Sequence, residues 1–338
     1  MNSLIIPIGL FIVAAMVIGV VGVRLTRVAD QLADKTGLGE AVTGALFLGG
    51  ITSLPGIVTS VTAAATGHPE LSISNALGGI TAQTAFLALA DIVYTKANLE
   101  HAAASVANLS QGTLLVSLLA LPLLAASSPP VSIGGVHPVS VVLPIAYLLG
   151  LRLISQARAA PMWAPTRTPE TRMDEPVPLP EMRVSFRELW LRLAIFALMI
   201  GTAGYVVAQA GVAIAQQTGL SETAVGGLFT AISTSLPELV TSVAAVRQGA
   251  LTLAVGDIVG GNSFDVLFIA FADIAYRSGS IYHALTPSQT FVIALTILMT
   301  GVLLLGLLRR EKYGIGNIGF ESVLILILYL GGLLVLFL

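Results

Sequence analysis

Glu238 stands inside the apolar stretch LFTAISTSLPELVTSV at 228–243. An isolated carboxylate at membrane depth is costly and usually has a task. Its neighbours supply more oxygen. Pro237 cannot donate a backbone hydrogen bond and crowds the carbonyl four residues back, which frees that of Ser233. Thr234 and Ser235 add hydroxyls, and Thr234 and Glu238, four apart, share a helix face. Such an all-oxygen set suits hard cations such as Na⁺, Ca²⁺ or Mg²⁺. Hydroxyls beside a proline kink could equally be local repair of a broken helix, so the carboxylate carries the argument.

A second set follows in the next apolar stretch. Asn262 and Asp265 sit three apart on one helical face, after Gly256, Gly260 and Gly261. Small residues let helices approach closely, so Asp265 is expected to come near the broken helix that carries Glu238.

The same pattern occurs earlier in the chain. Residues 46–61 read LFLGGITSLPGIVTSV, and at an offset of 182 they align with 228–243 without a gap, Gly56 falling on Glu238. The match runs from Thr36/Thr218 to His101/His283. Pro55 then frees the Ile51 carbonyl beside Thr52 and Ser53, and Gln83 stands where the second copy has Asp265. A duplicated polar motif within apolar sequence indicates a repeat-built transporter with its ion site between the halves. Only the second copy keeps its acid. Asp91 and Asp273 also correspond, near span ends, and read as interfacial caps. Asn75 and Asp257 read as vestibule or water-facing groups. His101 and His283 read as ordinary surface histidines rather than pH sensors. His68 and His137 have no match to support them.

The elements that must hold these residues are membrane helices. Charged residues are 10% of the chain against about 25% in soluble domains, and mean hydropathy is +0.91. Apolar runs of about 20 residues predict ten spans, near 3–23, 39–66, 70–95, 112–127, 133–152, 187–210, 221–246, 250–276, 288–308 and 318–338. The first reads as a span and not a signal peptide, because its positive charges follow it. Segment 24–37 is expected to lie at the interface. The proline-rich stretch 155–186 reads as a linker between repeats at 1–154 and 187–338. Five spans per half is odd, so the repeats are inverted. The fold class is therefore an all-α integral membrane protein with two inverted five-helix repeats. With the N-terminus outside, 15 of 16 basic residues face inward, which places the linker in the cytoplasm and both termini outside the cell membrane. No cysteine is present for a disulfide, metal site or nucleophile.

The doubled TSLPE-type motif followed by GGNSFD resembles the cation/Ca²⁺ exchanger superfamily, over roughly 36–101 and 218–283. The resemblance implies that the motif acid, its Thr and Ser neighbours and a residue of the following helix hold the ions. By position those are Glu238, Thr234, Ser235 and Asp265, with Thr52, Ser53 and Gln83 from the first half. Carbonyl ligands would fall at Gly49 and Ala231. Two departures stand out: Gly56 replaces the first acid, and Gly261 and Gly79 replace the family's motif serines.

These features predict a secondary antiporter exchanging Ca²⁺ or a related cation for Na⁺ or H⁺ by alternating access. A monovalent cation/H⁺ exchanger and a transport-inactive structural or regulatory paralogue are the alternatives. Inorganic cations and the bilayer are the expected partners, with no nucleic acid and no cofactor. No HExxH, GxSxG or cysteine nucleophile points to an enzyme.

Overall fold

The computed structural model describes residues 2–36, 50–94, 96–169, 171, 185–249, 251–314 and 318–337. Its helices are α1 (Asn2–Thr36), α2 (Leu54–Ala65), α3 (Pro69–Val93), α4 (Leu99–Ala103), α5 (Val106–Ala126), α6 (Val139–Ala159) and α7 (Phe186–Thr218). The second half has α8 (Glu222–Ala224), a π-helical turn (Val225–Thr230), α9 (Ala231–Thr234), α10 (Leu236–Gln248), α11 (Leu251–Asp265) and α12 (Leu267–Ala275). A 3₁₀ turn (Ile281–Ala284), α13 (Pro287–Arg309) and α14 (Phe320–Leu336) complete it.

Seven helices are long and apolar enough to cross a bilayer, or eight if α8–α10, bent by 48°, is one span. The shorter apolar helices α2 and α14 fall where the second and tenth spans were expected. By length alone the described residues thus give seven or eight spans, and ten are reached only with α2 and α14. Most of segment 24–37 belongs to α1, which continues unbroken through Thr36. Leu25, Val28, Ala29 and Leu32 recur at helical spacing and are buried against the Leu189 and Leu193 stripe of α7. The fourth span, expected from residue 112, starts earlier: Ser105 caps it, accepting from Asn108 N at 3.1 Å, and starts α5 at Val106.

Burial is graded as a bilayer requires. α3 is enclosed over most of its length, while α1 exposes Ile5, Ile6 and Val13, and α7 exposes Leu198. Those apolar faces need lipid, and the polar residues turn inward.

The repeat extends beyond the matched motifs. A Cβ added to Gly22 of α1 would lie 2.4 Å from Pro237 Cγ, and one on Gly204 of α7 would lie 2.9 Å from the Pro55 carbonyl oxygen. Gly22 and Gly204 are 182 apart, as are Pro55 and Pro237. Each half's first helix therefore crosses the other half's broken helix, at a glycine small enough to admit the proline. α1 and α7 also pack along each other. They form a paired layer laid across the two breaks.

Candidate cation site

Ser53 and Ser235 are the two joints. Each precedes a helix that carries proline in its first turn, where the missing N–H costs nothing. Their backbones agree closely, φ −82° and ψ 3° at Ser53 against φ −97° and ψ 8° at Ser235. These lie in the sparsely used bridge region between helix and strand. Both serine side chains line the cavity between the breaks.

Two acids line that cavity, Asp265 and Glu238. Asp265, 2% exposed, ends α11 just before the chain turns into α12. Ser53 Oγ donates to its Oδ1 at 2.6 Å and Gln83 Nε2 donates to its Oδ2 at 2.8 Å. Gln83 Nε2 also donates to Ser235 Oγ at 3.1 Å. One amide thus bridges the second-half acid and the second-half joint from α3. Glu238 lies in the first turn of α10, and its enclosed Oε2 has no hydrogen-bond partner. An unpartnered acid oxygen in a site without basic side chains is what a cation would satisfy.

Asn75 belongs to the same cavity, against the expectation that it faces a vestibule. It is 1% exposed. Its Nδ2 donates to Ser60 Oγ at 3.0 Å and Gly56 O at 3.3 Å, and its Oδ1 accepts from Thr230 Oγ1 at 2.8 Å and Thr234 Oγ1 at 3.4 Å. Asn75 therefore holds the two broken helices together. The one sequence signal for it was its pairing with Asp257 across the repeat.

Glu238, Asp265, Thr234, Ser235, Ser53 and Gln83 all line the cavity. Asn262, Thr52 and Ala231 do not. Asn262 is turned to α3, where its Nδ2 donates to Thr84 Oγ1 at 3.0 Å. Thr52 is only half-buried and sits one residue outside the joint. The Ala231 carbonyl is taken by its own helix, accepting from Ser235 N at 3.1 Å and Thr234 Oγ1 at 3.2 Å. Gly49 lies outside the described residues. Gly256 and Gly260 also differ from expectation, since they admit Asn108 and Gln111 of α5 rather than the Glu238 helix. A close backbone crossing is elsewhere, at Gly78 of α3 against Gly227 of the π-helical turn.

Where the first half lacks its acid, an aromatic ring has taken the space. A Cβ on Gly56 would lie 2.5 Å from Phe268 Cε2. Phe268 is 3% exposed and stacks edge-on against Phe264, with ring centroids 6.3 Å apart.

A layer of two helices laid across two broken helices, closing on a small acid-bearing cavity, is the architecture of an inverted-repeat cation antiporter. The chain belongs to the sodium/calcium exchanger protein family, whose model matches residues 6–154 and 188–338. It is 27% identical over 289 residues to CaxA of Alkalimonas amylolytica, which carries an antiporter's name, covering 85% of this chain and 86% of that one. Its fold matches the H⁺/Ca²⁺ exchanger CAX with a TM-score of 0.69 at 13% identity, over 97% of this chain and 82% of that one. It matches the sodium–calcium exchanger NCX_Mj with a TM-score of 0.56 at 20% identity, over 98% and 99% of the two chains. The protein is thus a multi-pass membrane transporter, a cation/Ca²⁺ antiporter.

Proposed function

We propose that the cavity carries one divalent cation per cycle, Ca²⁺ or a close relative, against monovalent cations, H⁺ or Na⁺. The carrying observation is that, among the described residues, Glu238 and Asp265 are the only acids lining it, with Phe268 closing the place of a third. Two carboxylates balance one divalent charge, or two monovalent ones, in a low-dielectric interior that penalises any remainder. The exchange is therefore electroneutral. Ser53, Thr234, Ser235 and Gln83 complete the oxygen set, and Asp265 releases its serine and amide donors when the ion enters. Residues 1–154 and 187–338 act as the two repeats, joined by the cytoplasmic linker 155–186, with both termini outside. No catalytic residue is involved.

Purified protein in proteoliposomes tests this. Ca²⁺ uptake should follow an outward Na⁺ or H⁺ gradient and should not respond to an imposed membrane potential. Glu238→Gln should abolish it, and Asp265→Asn should weaken Ca²⁺ binding more than a hundredfold. Removing one partner from a buried charge pair costs about 3–5 kcal/mol, and every 1.4 kcal/mol is about tenfold in affinity. Potential-driven uptake, or native transport by Glu238→Gln, would exclude the two-carboxylate site.

A further inference from the structure

A second group of buried acids lies at the end of the molecule where the linker attaches. Asp91, Glu100 and Glu321 are 0%, 2% and 2% exposed. Asp91 ends α3, its Oδ1 accepting from Leu99 N at 2.7 Å and its Oδ2 from Gly319 N at 2.9 Å. Glu100 Oε1 accepts from Ser322 Oγ at 2.9 Å. Glu100 Oε2 and both oxygens of Glu321 are enclosed with no hydrogen-bond partner. A Cβ added to Gly319 would lie 3.0 Å from Glu100 Oε2, 3.4 Å from Glu321 Oε2 and 3.5 Å from Asp91 Oδ2. One oxygen of each acid therefore borders the same small space.

The opposite end of the molecule shows what this joint requires. There Asp273 Oδ1 accepts from Ile281 N at 2.9 Å, and its Oδ2 accepts from His137 N and Ser140 Oγ, both at 2.7 Å. Tyr282 OH meets Ser140 Oγ at 2.9 Å. Asp273, Ile281 and Tyr282 each stand 182 after Asp91, Leu99 and Glu100, and Gly319 and Ser322 stand 182 after His137 and Ser140. The two joints are thus the same device, docking the last helix of one half onto the third helix of the other. The far joint manages with one acid. At the linker end Glu100 replaces the tyrosine and Glu321 replaces Val139, so two acids have been added that docking does not need.

The surrounding charged groups offset them only in part. Arg310 donates to the His101 carbonyl, Thr166 O and Thr171 Oγ1, and His101 bonds Arg310 O and Thr168 Oγ1. Arg309 is held by Glu311, and the two act on Glu321 with opposite sign, Glu311 against its ionised form and Arg309 for it. Lys312 lies over the Tyr313 ring, and Lys96 is exposed. Neighbouring α11 contributes only Asp257 and Asp265 as titratable residues, and α5 contributes none. Among the described residues no three acids or histidines are spaced to hold a metal ion. The small ligand left is a proton.

We propose that the Asp91–Glu100–Glu321 joint binds a proton from the linker side, and that its release loosens α14 from the end of α3 and speeds exchange. Three carboxylates around one space cannot all be ionised, and a shared proton lets one donate to another. Burial, then the neighbouring Asp91 charge, pushes the Glu100 carboxyl up to about 8. An acid raised above its unfolded value of about 4.3 favours the folded joint fully below that pH. That contribution is lost as pH rises through about 8. α3 also carries Asn75 and Gln83 of the cation cavity, so freeing its end reaches the site. Only the rate readout rests on the antiport reading.

Two measurements on the full chain in membranes test the proposal. In the infrared, the native protein should lose a protonated-carboxyl C=O band as pH rises through about 8. In proteoliposomes, cation uptake should rise over the same interval when the linker-side pH is varied, and not when the other side is. Glu321→Gln should lose both responses. So should the double variant Glu100→Tyr with Glu321→Val, which copies the far joint and should melt no lower than the native protein. Retention of the band and the rate step in these variants, or their absence from the native protein, overturns the proposal. The infrared titration needs no transport, so its failure is distinguishable from failure of the antiport reading.

Discussion

At the scale of single residues, the site is governed by how much room each glycine leaves. Gly79 and Gly261 stand where the family resemblance implies serine, and a Cβ at either meets only ordinary contacts, Ser235 Oγ at 3.4 Å and Gln83 Oε1 at 3.8 Å. Gly56 is different, because Phe268 fills the space its side chain would need. Gly56→Glu alone should therefore destabilise the protein by about 1–3 kcal/mol, the usual cost of overpacking. Combined with Phe268→Ala, the glutamate gains a cavity and the site gains a third acid. The double variant should recover thermal stability and move more monovalent charge per divalent ion. Thermal denaturation and reversal-potential measurements check the two parts. A double variant that is stable yet unchanged in stoichiometry would show that Gly56 does not face the ion.

At the scale of elements, α1 and α7 cross the broken helices at Gly22 and Gly204, so these glycines set how closely the paired layer lies on the site. Gly22→Val would drive a side chain into Pro237. It should cost about 1–3 kcal/mol and slow exchange, with Pro237→Ala as the relieving partner for stability. The Gly78 crossing admits less. There a Cβ meets the Gly227 carbonyl oxygen at 2.4 Å, and no side chain can move aside. Gly78→Ala should therefore lower the melting temperature well below that of Gly19→Ala, whose Cβ finds Leu236 Cδ1 at 3.4 Å. Equal melting temperatures for the two variants would contradict the close crossing.

At the scale of the whole molecule, the inverted repeat puts equivalent joints at opposite ends, so the two faces of the membrane can be read differently by one fold. Orientation decides which face senses which compartment. Basic residues gather on the linker side, 15 of 16 by the ten-span reading. In this cysteine-free chain, a cysteine at Pro169 should stay protected from an impermeant thiol reagent in intact cells. Cysteines near either terminus should be labelled. The reverse pattern would turn the molecule over and assign the proton-binding joint to the outside.

Much of this was legible in the chain itself. Acids and hydroxyls within apolar runs announce themselves, because a bilayer makes each one costly, and a repeat at constant offset needs no alignment with relatives. Glu238, Asp265, Gln83 and the two serines were singled out that way, as was Gly56 at the position that matches Glu238. What the sequence could not supply was direction. Asn75 lies near the start of its helix and read as water-facing, yet the breaks at Ser53 and Ser235 draw the cavity toward that level and bury it. Asn262 shares an ideal helical face with Asp265, but it bonds Thr84 of α3 instead. Phe268 is an unremarkable apolar residue in sequence, and only tertiary packing places its ring over Gly56. Periodicity and composition fix which residues are polar within the membrane; the packing of broken helices decides which of those polar groups meet.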